Sequence, residues 1–572
     1  MTKLDKYSLT HNRIKREQSG KSAIFGVILI LAALLFALFI FVEPRPDKPG
    51  DNSSAQTSGQ GADFGGSFLE GSIGDAKSLN PLIANDNASS EIISMLFNGL
   101  VKYNREQNIA ADLCDPETPW EISEDGKTIT FHLRKGVTWH DGTPFTSSDV
   151  VFTYEICSNP EFKAAYGSEY KDIASVTALN DHSVRVVYRE TYARELLMET
   201  WMLPILPKHA LQGSDPRQSS FSRRPIGTGP FKFKEWIPDE KITLVANESY
   251  FEGRPYIDRY IFRVIPQKSN MFLMLKSGSI DMMRLTPDQF TKQASGEEFD
   301  LRFNKFKFPG YSYTYMGFNL QDPLFSDIRV RKAISMAIDR NALIKGVLTG
   351  LGSISRGPFL PGSWAENPDV KAPDFNTGEA SRLLLEAGWK DSDGNGFLDR
   401  VDSSGKIQEF SFAVYVNNGN EERRLSGEMI CSELRGIGLD VRLERLGWTA
   451  FLDKINTKTY QSIIVGWDLP IDPDQFNIWH SSCIEHGNNI LGYSNPEVDK
   501  LLVAGRKAAT REERKKIYNS VHSLITADSP CAFLYVPDML FAVSRRFKGV
   551  EPSRMGIKHN ITKWFVPREE QR

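Results

Sequence analysis

Residues Ala23 to Val42 read AIFGVILILAALLFALFIFV, twenty in a row without a charge. That is about the length a helix needs to cross the hydrocarbon core of a bilayer. Ahead of the run stand Lys3, Lys6, Arg13, Lys15, Arg16 and Lys21, against only Asp5 and Glu17. Flanking cations stay on the cytoplasmic side, so residues 1–22 are expected inside as a basic tail, and everything after Val42 outside. A cleaved signal peptide is the competing reading. However, the following FIFVEPRP has no small-x-small cleavage site, and no cysteine follows the run closely enough to accept a lipid. The run therefore predicts an uncleaved transmembrane anchor over 23–42. Residues 43–63, rich in Pro, Gly, Ser, Asp and Gln, lack the apolar side chains a core needs and predict a flexible tether.

About 500 residues remain outside, enough for several domains by ordinary domain size. A net charge of −3 and an isoelectric point near 6.4 exclude the basic excess typical of nucleic-acid binders. The five cysteines form no C-x-x-C pair, so a zinc site of ordinary spacing is excluded; bridges and free thiols both remain open.

Two textures follow one another. In WEISEDGKTITFHL (120–133), Asp125-Gly126 lies between short runs, and Ile129, Phe131 and Leu133 alternate with Thr128, Thr130 and His132. That is a hairpin with one wet face. SVRVVYR (183–189) reads as a further strand. From Arg329 onward, helical stripes alternate with strands. Val330, Ala333, Ile334, Ala337 and Ile338 mark one helix, NTGEASRLLLEAGW and EERRLSGEMICSELRGIG two more, and LDVRLERL and SIIVGW are strands. This order predicts an α/β lobe, whose ligands gather beyond the carboxyl ends of the strands. The loop after SIIVGW, DLPIDPDQFNIWH, begins at such an end.

Catalytic motifs are missing: there is no G-x-S-x-G, H-E-x-x-H or phosphate-binding loop, and His480 and His486 around Cys483 fall short of a site. DSDGNGFLDRVD places Asp391, Asp393, Asn395, Asp399 and Asp402 at the ligand positions of a calcium loop, with aspartate where the usual glutamate closes it. Any metal there is expected to be structural.

Nine stretches in order resemble the family 5 extracytoplasmic solute-binding proteins, the peptide-, oligopeptide- and nickel-type receptors of ATP-binding-cassette importers. They are GSIGDAKSLNPLIANDNASSEIISMLFNGLVKYN (71–104), WEISEDGKTITFHLRKGVTWHDGTPFTSSDVVFTYE (120–155), PIGTGPFKFKEW (225–236), MFLMLKSGSIDMM (271–283), FNLQDPLFSDIRVRKAISMAIDRNALIKGVLTG (318–350), AGWKDSDGNGFLD (387–399), the loop at 462–480, GYSNPEVDKLL (492–502) and AFLYVPDMLFAV (532–543). The resemblance implies an α/β, two-lobed, periplasmic-binding-protein-like fold with an inserted smaller domain, here preceded by one transmembrane helix. By analogy, lobe I takes 64–95, 205–267 and 532–572, the insert 96–204, and the second large lobe 268–531. It also implies no catalysis, no cofactor, a monomer, and a hinge that shuts the lobes over a ligand.

The resemblance further places a carboxylate for a ligand α-ammonium in the loop after SIIVGW, where Asp468 is the nearest match and Asp472 the alternative. Pro470 falls where some relatives carry the acid. Trp448 and Trp467 match cleft tryptophans of oligopeptide-binding relatives, Tyr311 and Tyr313 lie near the expected crossing between lobes, and Asn85 is the first lobe's candidate. Dipeptide-binding relatives hold the ligand carboxylate with an arginine just after the strand matching FSFAVYV. Asn417 and Asn418 stand there instead, which favours longer peptides or a non-peptide solute. The expectation is a receptor, held in the bacterial inner membrane with its bulk in the periplasm, that delivers peptides to an importer's permease. A receptor for a nickel chelate, opine or sugar is the alternative; an outward-facing hydrolase on the same scaffold, or a sensor, would be a different class.

Overall fold

The computed structural model describes residues 62–572 apart from 85, 163, 165, 166, 214, 216–219, 402–404 and 486. The expected tail, the anchor over 23–42 and nearly all of the tether lie outside these residues. Among those described, no helix is long and apolar enough to cross a membrane.

A fourteen-residue strand, Cys531–Ser544, ties the molecule together. Its first half pairs with Ser312–Phe318 and Gly352–Ile354; its second half pairs with Phe303–Pro309 and Met282–Arg284. Pro537, which has no N–H to give a ladder, sits at the changeover. Beside it the chain passes from Phe303–Pro309 to Ser312–Phe318 through Gly310. A Cβ on Gly310 would come 2.9 Å from the Pro537 carbonyl oxygen, so only glycine lets the two crossing segments lie this close.

On one side of the crossing the sheet continues through Met282–Arg284, Ser67–Ser72, Arg259–Val264, Lys241–Ala246 and Phe231–Ile237. On the other it runs through Ser312–Phe318, Ser462–Asp468, Ser411–Asn417 and Asp440–Leu446. Ser411–Asn417 is parallel to both its neighbours, and the helices Glu421–Arg435 and Trp448–Asn456 make the connections. This is the α/β order that the alternation of stripes and strands implied, within the two-lobed plan that the resemblance implied. Within residues 268–309, Met282–Arg284 and Phe303–Pro309 pair on the Ser67–Ser72 side of the crossing. There Met271, Phe272, Leu275, Met283, Phe299 and Phe303 share a core with Leu540 and Ala542.

A separate four-stranded sheet is built from Trp120–Ile122, Thr128–His132, Ser183–Tyr188 and Ile173–Asn180. Ile129 and Phe131 are buried between half-buried Thr128, Thr130 and His132, as period two requires, and Gly126 makes the hairpin turn at φ 68°. Phe131 and Trp201 from this part share one apolar core with Ile92, Phe231 and Tyr260.

Two of the sequence signatures exist for each other. His140 Nδ1 accepts from the Gly227 N–H at 3.1 Å, and its Nε2 donates to the Gly229 carbonyl at 3.1 Å. The Gly229 N–H in turn caps the helix Asn87–Leu96 by donating to the Leu96 carbonyl at 2.8 Å. A Cβ at Gly227 would stand 1.8 Å from that same oxygen. Burial pulls the His140 imidazole down to about 4, so it stays neutral, and with both ring nitrogens engaged it clamps the two glycine backbones. All five cysteines are free thiols, and Cys114, Cys157, Cys431 and Cys531 are buried.

Candidate functional site

Because Asp440–Leu446, Ser411–Asn417 and Ser462–Asp468 run parallel, their carboxyl ends lie along one edge. From there chain segments leave at Gly447-Trp448, Asn417-Asn418 and Asp468-Leu469. Ser312–Phe318 runs the other way and brings its start to the same edge, with Ser312 opposite Asp468. The Leu469 N–H donates to the Tyr311 carbonyl at 2.7 Å, which closes the row.

Four of the expected ligand residues meet here. Trp448 opens its helix and is 54% exposed, its ring 6.0 Å from Phe451. It lies two strands from Trp467, about 10 Å at ordinary strand spacing. Trp467 is half-buried against the core that holds Tyr313, Tyr315 and Ile463. Asp468 is exposed. Tyr311 is half-buried; its hydroxyl meets the Gln107 side chain from the first-lobe side, and burial raises its phenol above the ordinary range.

Strand alternation then separates two neighbours. Tyr313, Tyr315, Ile463, Val465 and Trp467 belong to one apolar face, Met316 and Ile464 to the other, so Gly466 and Asp468 share the second face with Thr314. Trp467 and Asp468 present themselves on opposite sides of the strand.

Two expectations are corrected. Tyr313 is fully buried, its ring 5.7 Å from Tyr315 and 5.6 Å from Phe533; it is a core residue and lines no cleft. Asp472 has both oxygens engaged by the buried Arg514 guanidinium, each at 2.7 Å. Buried and held by both oxygens, Asp472 fixes its loop and leaves no exposed carboxylate for a ligand's ammonium. Asn85 lies outside the described residues.

Sequence reasoning missed Arg423. It is the third residue of Glu421–Arg435, whose N-cap Asn420 accepts from the Arg423 N–H. Its side chain folds back over the strand ends: Nη1 donates to Asn417 Oδ1 at 2.9 Å, and Nη2 lies 3.3 Å from where a Gly466 Cβ would be. The glycine makes room for the guanidinium. Burial holds Arg423 below the usual arginine range, with the phenols of Tyr535 and Tyr315 and the Asp468 carboxylate acting the other way. Among the described residues Arg423 forms no ion pair, and the start of a helix is the wrong end for a cation. Arg331 and Arg340, by contrast, are buried with their donors on the carbonyls of Phe325, Asp528, Ser529, Phe533 and Ser335. The signal available in the sequence was that breach of helix-end preference.

A positive group, a negative group and a neutral amide thus gather at the strand ends, with Trp467 on the opposite face of its strand from Asp468. That edge can hold a zwitterion, or the two ends of a short extended chain, by charge-assisted hydrogen bonds. A cavity of about 280 Å³ lined by Lys332, Met336, Lys371 and Ala527 shares no residue with it. In the calcium-like loop, Asp391, Asp393 and Asp399 gather within 4.8 Å, and Asp402 lies outside the described residues. Asp391 accepts from the Gly394 and Gly396 N–H groups, Asp393 and Asn395 accept from N–H groups two residues on, and Asp399 accepts from Ser392. The carboxylates hold the turn itself.

The profile of the bacterial extracellular solute-binding proteins, family 5 Middle, matches residues 116–488. The oligopeptide-binding protein AppA of Bacillus subtilis (strain 168) is 34% identical over 552 residues, 94% of this chain and 98% of that protein. The solved structure of Bacillus subtilis AppA in complex with a nonapeptide superposes with a TM-score of 0.77 at 32% identity, covering 89% of this chain and 100% of that one. NikZ from Campylobacter jejuni in complex with Ni(L-His) gives 0.74 at 26% identity, covering 87% and 99%. With its fold, its ordered signatures and this similarity over nearly its whole length, the chain belongs to the family 5 bacterial extracellular solute-binding proteins.

Proposed function

We propose that the chain is the peptide receptor of an ATP-binding-cassette importer, gripping an extended peptide along the strand edge and handing it on unchanged to a permease. The observation that carries this reading is the presence at one edge of an exposed carboxylate, Asp468, and of an arginine, Arg423, that forms no ion pair among the described residues. Asp468 answers the peptide's ammonium and Arg423 a carboxylate, the cation that Asn417 and Asn418 did not supply. Trp448 and Trp467 give flat apolar surface at low entropic cost, and main-chain pairing supplies affinity blind to sequence. The similarity to an oligopeptide-binding protein supports the same ligand class.

The working unit in this reading is a monomer without enzymatic activity. Its first lobe runs from 64 to about 309 with 96–204 inserted and returns after Pro537; the second lobe takes about 310–537. The apolar run at 23–42 anchors it in the cytoplasmic membrane with the bulk outside, where the tether keeps it near the permease. Native mass spectrometry of the full chain tests the ligand class. Peptide masses released on unfolding are expected, and a preparation carrying only non-peptide solute contradicts it.

A second reading has one observation behind it. Asp468 and Arg423 together also suit a single compact zwitterion, and the NikZ structure holds Ni(L-His). In that case the released mass carries the nickel isotope pattern.

A further inference from the structure

The short strands Val101–Tyr103 and Ile109–Ala111 form a hairpin whose loop is Arg105, Glu106 and Gln107. The Asn104 N–H donates to the Asn108 carbonyl and the Gln107 N–H to the Asn104 carbonyl, both at 2.9 Å. Gln107 ends the loop at φ 63°, in the left-handed region. A hairpin loop of this kind ordinarily has glycine there, because a Cβ crowds the following carbonyl oxygen. The fold therefore carries a conformational cost at Gln107 that glycine would spare.

What the side chain does is reach another part of the molecule. Val101 lies in the apolar core of Phe68, Ile92 and Phe231, whereas Tyr311 leads into Ser312–Phe318, whose Tyr313 belongs to the separate core of Ile463 and Trp479. Gln107 Nε2 donates to the Tyr311 hydroxyl between the two. The Tyr311 carbonyl is the group that holds the Leu469 N–H beside Asp468, so the glutamine reaches the end of the strand edge. A second polar contact runs the same way. Arg554 Nη1 donates to the Gly362 carbonyl at 3.2 Å, and Glu551 in the same segment as Arg554 pairs with Arg105 of the hairpin at 2.6 Å. A side chain held at a strained backbone position and spent on a contact between two cores is placed to fasten them together.

We propose that Gln107 is a positioning residue for peptide retention: through the Tyr311 hydroxyl it fastens the hairpin to the strand edge in the peptide-holding form, and so sets how slowly the peptide leaves. This rests on the peptide reading of that edge. Gln107 acts through Tyr311 and touches no ligand itself. The peptide enters with the hairpin unfastened, so release carries the contribution of this contact and association does not.

Gln107→Gly separates this role from one in folding, because the two predict opposite signs. Glycine suits the left-handed turn, so the urea midpoint should hold or rise while the hydrogen bond to Tyr311 is lost. Surface plasmon resonance of the full chain with an unmodified nonapeptide reads the rest. Gln107→Gly and Tyr311→Phe are each expected to speed release about threefold or more, the worth of one neutral hydrogen bond, with association within about twofold of the wild type. The double variant should release no faster than either single one, since both remove the same contact. Glu106→Ala, at the exposed neighbouring position, keeps the wild-type rate. Release unchanged in Gln107→Gly, or faster release together with a lower urea midpoint, overturns the proposal alone, as does a double variant whose effect is the product of the two. A wild type that binds no nonapeptide overturns the peptide reading, and this proposal with it.

Discussion

Replacing Asp472 by alanine leaves the Arg514 guanidinium inside the protein without its carboxylate. Removing one partner of so buried a pair costs about 3–5 kcal/mol, read as a lower midpoint in urea unfolding. Asp468→Ala should leave that midpoint in place, since the side chain is exposed. It should instead weaken free-amine peptides about tenfold or more, the worth of one charge-assisted hydrogen bond, and N-blocked peptides hardly at all. Equal losses for both peptides in calorimetry would remove Asp468 from the site. Arg423→Gln makes the complementary case, weakening peptides with a free carboxylate more than their amides. The sequence distinguished poorly among these residues because an aspartate in a loop reads alike whether it caps a turn, pairs with an arginine or waits for a ligand. Only the chain's return at Arg514, forty-two residues on, separates Asp472 from Asp468.

At the scale of elements, the glycines of PIGTGPF are steric requirements. Gly227→Ala drives a Cβ into the capping carbonyl of Leu96, and about 3 kcal/mol or more of stability should go with it, seen in the first unfolding transition. Two buried imidazoles set a pH dependence. His140 is held between glycine backbones, and His522 accepts from the Asn367 N–H at 3.1 Å; burial pulls each down to about 4, against about 6.5 in an unfolded chain. The unfolded state then binds the protons first. This stability is fully present above about pH 6.5 and is lost as pH falls toward 4, so the urea midpoint should decline across that interval. A flat midpoint there would contradict it. Elements such as Thr128–His132 and Ser462–Asp468 were legible because burial on one face or both writes itself into the pattern of apolar residues. The partner of Met282–Arg284 and Phe303–Pro309 was not. Pairing with Cys531–Ser544, more than two hundred residues away, leaves no local trace.

For the whole molecule, the order of nine signatures gave the family and the two-lobed plan, while the position of the crossing at Gly310 and Pro537 needed the structure. At that crossing one strand and one glycine-bearing turn lie side by side. The proposed function requires peptide capture at the edge marked by Asp468 and Arg423. Isothermal titration of the full chain with unmodified nonapeptides measures it most directly. One peptide should bind per chain, and the double variant Asp468→Ala with Arg423→Gln should bind at least tenfold more weakly. No heat with any peptide, or the same affinity in the double variant, would contradict it.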